Sequence, residues 1–102
     1  MLSILSFSTN LEILPVMDRL VNKNPEWEGR RAADLATAID LVKATDYDFV
    51  LLGAGTGAAD RTALQAEITA AGKHTRLIDH YGGGSGLLLA EIQEAVAKNP
   101  PV

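Results

Sequence analysis

The chain has 102 residues, no cysteine and a formal charge of −4. That length suits one domain, and 47% hydrophobic with 22% charged residues is ordinary globular material rather than a disordered composition. Without cysteine there is no disulfide framework, no thiolate nucleophile and no cysteine-ligated zinc site. Nine Lys and Arg scattered along an acidic chain make no stripe that could neutralise phosphates, so nucleic acid is not an expected partner. Aromatic residues are 5% of the chain, too few for a base-stacking platform. Apolar runs such as Phe49–Leu52 fall far short of the roughly 18–20 residues a membrane span needs. Met1–Leu5 lacks the basic start of a signal peptide, and the expectation is a cytoplasmic protein.

Along the chain, Ser3–Ser8 is a short run of apolar and small residues and predicts a first strand. Asn10 is a good helix cap, and Ile13, Met17, Leu20 and Val21 recur behind it at helical spacing. Pro15, just past the first turn, removes one hydrogen bond and is placed to bend this helix, which stops at Asn22–Pro25. Glu26–Ala32 alternates too poorly for a central strand and predicts an edge strand, with Gly29 as an irregularity in it. Asp34 caps a helix with Leu35, Ala38, Ile39 and Val42 on its apolar side. Asp48–Leu52 is continuously apolar after its first residue, the pattern of a parallel strand covered on both faces. A third helix runs from about Asp60 with Leu64, Ile68 and Ala71 inward and Gly72 as a left-handed C-cap. Thr75–Asp79 is a fourth strand. Ser85 caps a last helix carrying Leu88, Ile92, Ala95 and Val96, closed by Asn99-Pro100-Pro101.

Alternating strands and helices predict an α/β domain, a three-layer open parallel sheet of about four strands in the flavodoxin-like order 2-1-3-4. The stretch Ala32–Val42 followed by Tyr47–Gly53 resembles response-regulator receiver domains, which have an Ala/Leu-rich helix leading to an acidic residue and a fully apolar third strand. The last helix, reached through Ser85-Gly86-Leu87, is similar to the receiver's closing helix. The resemblance covers most of the chain as pattern and implies a receiver-like fold. Its chemistry departs from the family. Where a receiver has an acidic pair after strand one to hold magnesium, this chain has Thr9 and Asn10; Gly53 stands at the phosphoacceptor position; Asp79 or His80 takes the place of the Thr/Ser after strand four. The lysine after strand five has no counterpart, because a helix and a strand are missing. Since a carboxylate is the nucleophile of phosphoryl relay and magnesium needs oxygen ligands, the resemblance implies a truncated module used for contacts.

Seven of the nine glycines fall in two clusters, 53–57 and 82–86. Gly53-Ala54-Gly55-Thr56-Gly57-Ala58 satisfies G-x-G-x-x-A after a strand and before a helix, and Asp79 lies 21 residues beyond Ala58, where a ribose-binding acid belongs. A pyrophosphate would sit against free backbone N–H groups at the helix N-terminus. Against this, the dinucleotide fingerprint follows the first strand, not the third, and glycines also make tight strand-to-helix turns. The second loop, with Gly83, Gly84 and Ser85, falls beside the first in the predicted order. Backbone N–H groups and the hydroxyls of Ser8, Thr56 and Ser85 could then line an anion-binding concavity. The plainer alternative is a splice where a helix and strand were lost.

His74 and His80 flank strand four, roughly 20 Å apart at about 3.3 Å per residue, and cannot share a metal. Trp27 is expected to cover the sheet edge, and Leu87-Leu88-Leu89 is wider than one core face needs. Strand four, with no fifth strand, is left as an open edge. The expectation is a non-catalytic, phosphorylation-incompetent interaction module without cofactor. It would form a homodimer through strand 75–79 or helix 86–98, with no nucleic-acid or membrane partner. The alternative is a small nucleotide- or phosphate-binding protein built on loops 53–58 and 82–86.

Overall fold

The structure, a computed structural model, describes residues 2–79 and 85–98. Strands β1 (Leu2–Phe7), β2 (Trp27–Ala32), β3 (Phe49–Leu52) and β4 (Arg76–Asp79) alternate with helices α1 (Leu14–Asn22), α2 (Leu35–Ala44), α3 (Ala58–Ala70) and α4 (Ser85–Lys98). The strands are all parallel, in the order β2-β1-β3-β4. This is an open α/β sheet of flavodoxin-like order.

Alternation along the two central strands separates the core into two layers. Leu5 and Phe7 of β1 and Val50 and Leu52 of β3 point to one face, where Ala38 and Val42 of α2 and Leu64 and Ile68 of α3 cover them. Leu2, Ile4, Phe49 and Leu51 point to the other face, under Met17 and Val21 of α1 and Ile92 of α4. Every residue of β3 is buried, which is why that segment is apolar without interruption.

The local signals act as chemistry requires, with three corrections. The Asp34 carboxylate accepts the Thr37 N–H at 2.7 Å and starts α2. Gly72, at φ +70°, closes α3 in the left-handed region, its N–H bonded to the Thr69 carbonyl. Asn10 does cap, its Oδ1 accepting from the N–H groups of Glu12 and Ile13, but it holds a turn that precedes α1. The first correction follows from this. Pro15 lies at the start of α1, where an N–H has no helical partner to lose, so it costs no bond and breaks nothing. Second, α3 begins at Ala58, and Ala71, expected inward, is exposed. Third, Gly29 is no irregularity: it pairs in register with Ile4. A Cβ there would stand 2.9 Å from Asn22 Nδ2 and 3.0 Å from both Asp18 Oδ1 and Val21 Cγ1, so glycine is what lets α1 lie against the strand.

Candidate functional site

In an open α/β sheet, ligands bind beyond the carboxyl ends of the strands where the strand order reverses. Here that point lies between β1 and β3, and the register Phe7↔Leu52↔Asp79 brings three strand ends level. The segments leaving them are Ser8–Ile13 and Gly53–Gly57, with Asp79 at the side. Thr9, Asn10, Gly53 and Asp79, named from the sequence, therefore meet on one edge. Gly83 and Gly84, together with His80, lie outside the described residues, and Ser85 is the first residue of α4.

The first glycine loop is closed on its own chain. Fully buried Ser8 donates its hydroxyl to the Ala54 carbonyl at 2.6 Å and accepts the Asn10 N–H at 3.1 Å. Thr56 turns its hydroxyl and its N–H onto the Gly53 carbonyl, at 2.7 and 3.3 Å. The Gly57 N–H, the donor nearest the helix start, is taken by the Asp60 carboxylate at 2.8 Å. That carboxylate, in the first turn, satisfies the positive helix end that an anion would otherwise seek.

The glycines are explained by neighbours. A Cβ on Gly53 would lie 2.7 Å from Met17 Sδ and 3.2 Å from Ser8 Cβ, and Met17 is buried. Gly55 has φ +85°, and a Cβ there would run into the Thr9 hydroxyl. The room that a second fingerprint glycine would give a pyrophosphate is thus filled by Thr9. Gly57 has open space around it and follows no steric demand; Ala58 is the first residue of α3. Nothing in the sequence announces the Gly55–Thr9 contact, because the two residues meet only once β1 and β3 are paired.

The charged groups do not converge. Asp79 is paired with Arg61 at 2.9 Å, both half-exposed. His74, at the opposite end of β4, is exposed. Among the described residues no three His, Asp or Glu side chains are grouped as a metal would need. The Ser6 hydroxyl, buried in β1, has no hydrogen-bond partner among the described residues, a feature the sequence reading missed. Leu11 and Ile13, ahead of α1, and Val16, in its first turn, are exposed, Leu11 at 71%.

No protein-family model matches the chain, and no curated protein matches it. Among solved structures it is similar to a protein from Burkholderia pseudomallei K96243 assigned provisionally to pilus assembly. The identity is 18%, the TM-score 0.59, and the match covers 93% of this chain and 72% of that one. At that identity the likeness concerns the fold: this chain shares an α/β architecture with a protein of related shape.

Proposed function

We propose that the chain is a receiver-like module that has lost phosphoryl chemistry and works by contact, as a non-catalytic signalling or assembly component in the cytoplasm. The observation that carries this reading is Gly53. The position where a receiver holds its nucleophilic carboxylate is occupied by a glycine, and any side chain there must displace buried Met17. The neighbouring positions Thr9 and Asn10 offer no carboxylate for magnesium. Exposed Leu11, Ile13 and Val16 beside the same edge favour a protein surface over a small anion as the occupant. The Burkholderia protein's link to pilus assembly is consistent with protein partners. A homodimer through strand 75–79 or helix 86–98 belongs to the same reading.

The nucleotide alternative has less support, since the loop's hydroxyls and its leading N–H are committed internally. One experiment separates the two. The protein is incubated with acetyl phosphate and magnesium and examined by intact mass, and a parallel sample is melted with nucleotides, NAD and flavins at millimolar concentration. The proposal expects no phosphoryl adduct and no change in Tm. A stoichiometric adduct, or a Tm that climbs with ligand concentration as native-state binding requires, overturns it.

A further inference from the structure

The amino ends of β1 and β2, opposite the glycine loop, carry an inference that goes beyond the contact-module reading. Helix α1 stops at Asn22, whose side-chain oxygen accepts the Gly29 N–H at 2.8 Å, so the helix ends level with the middle of β2. The first pair of the ladder, Leu2↔Trp27, lies beyond that end. Helix α4 is longer, 14 residues against nine, and its Val96 packs against the same apolar layer as Leu2 and Trp27. Gln93, three residues before Val96, lies on the same side of α4. The shortness of α1 leaves a cavity of about 580 Å³ there, bounded by Leu2, Pro25, Glu26, Trp27, Gln93 and Val96.

The residues around this cavity are of two kinds. Leu2, Pro25, Val96 and the Trp27 indole make apolar walls. Exposed Glu26 supplies a carboxylate, and among the described residues it enters no ion pair. Lys73 and Asp79, by contrast, are already held by Asp46 and Arg61. No Lys, Arg or His among the described residues borders the cavity, so the Glu26 charge is uncompensated. The glycine loop is the reverse case, because its hydroxyls and leading N–H are committed within the chain.

This combination selects a ligand by elimination. Glu26 repels an anion. A metal ion or a bare ammonium group would have to shed its water against apolar walls, and the space is of the size that small organic ligands fill. A neutral apolar molecule would gain nothing from the carboxylate. An organic cation whose charge is spread over methyl groups fits all three features: its carbon surface suits the walls, the indole face attracts the charge, and the carboxylate balances it. We propose that this cavity binds a free small molecule bearing a quaternary ammonium group, with Trp27 as its aromatic contact and Glu26 as its counter-ion.

Trp27 is the only tryptophan of the chain, so its fluorescence reports on the site directly. Choline chloride, titrated against matched sodium chloride, should change that emission saturably. Dimethylbutanol, the uncharged carbon isostere of choline, should bind about tenfold more weakly. Glu26→Gln, at an exposed position, should weaken choline about tenfold while leaving the neutral alcohol unchanged, a pattern that a structural role for Glu26 would not give. Equal binding of choline and the alcohol overturns the cation assignment, and choline binding that ignores Glu26→Gln overturns the placement at this cavity. No saturable response to choline, in emission and in calorimetry, overturns the site altogether. Each failure leaves the contact-module reading standing, because that reading rests on Gly53 at the other end of the sheet.

Discussion

At the β2 edge the chain supplies its own strand partner in pieces. Even-numbered residues of β2 face β1, as the Leu2→Glu26 and Ser8→Ala32 bonds require, so Trp27, Gly29 and Arg31 face out. The Trp27 N–H is met by the Asn24 carbonyl at 3.0 Å, and the Gly29 N–H by Asn22 Oδ1 at 2.8 Å. Exposed Glu28 and Arg30 add charge along the rest, a common way of deterring edge-to-edge pairing. The β4 edge is built differently: half-buried Leu77 and Ile78 border an open groove. One edge is closed by the end of a helix, and the other is left as a surface. The difference teaches that the sheet's short strand count is compensated within the chain on one side only.

The comparison is broken most forcefully at Gly29. Gly29→Val places a branched side chain where Asn22, Asp18 and Val21 stand, and should cost about 1–3 kcal/mol by overpacking, read as a lower urea midpoint. An unchanged midpoint would mean that α1 does not need its close approach to β2. Asn22→Ala is milder. It leaves the Gly29 N–H without its side-chain acceptor, and a loss of about 1 kcal/mol is expected. It also sharpens the contrast, because uncovering that edge should promote association, seen in light scattering. If association is unaltered, Asn22 is not what keeps that edge closed.

The smallest effect lies away from both edges and serves as a control. The Thr37 backbone N–H holds the Asp34 carboxyl below its ordinary value of 3.8. A lowered folded-state pKa gives a contribution that is present above the unfolded value and lost as pH falls through the folded one. Asp34→Asn, which keeps a capping oxygen without the charge, should therefore flatten the acid limb of Tm against pH while leaving association unchanged. A variant with the same acid limb as the parent would assign that limb to other carboxylates.

Much of the fold is legible in the sequence because it rests on local or periodic signals. Phe49–Leu52 could be read as a doubly covered strand from its unbroken apolarity, and Asp34 and Gly72 from the backbone groups they satisfy. The strand order follows from alternation and the family resemblance. What escaped depends on contacts between distant residues. Gly29 carried a usable hint, since a glycine within a strand marks a close backbone approach, but what approaches it is known only once α1 has folded back. The functional loop is the stronger case. G-x-G-x-x-A is the same string whether the space above Gly55 is open for a phosphate or filled by Thr9, and only pairing of β1 with β3 decides. Pro15 misled for a simpler reason: its effect depends on where the helix starts, and Asn10 holds a turn ahead of that point.

The account's central claim, that the molecule closes one edge of its sheet itself and leaves the other as a surface, is tested most directly by amide hydrogen exchange at Leu77 and Gly29 in dilute protein. Arg76 donates its N–H to the Asp48 carbonyl, so Leu77, one residue on, turns its own N–H away from β3. The account predicts that Leu77 exchanges fast, while Gly29, held by Asn22 within the chain, exchanges slowly. Equal protection at the two positions, or faster exchange at Gly29, would contradict it.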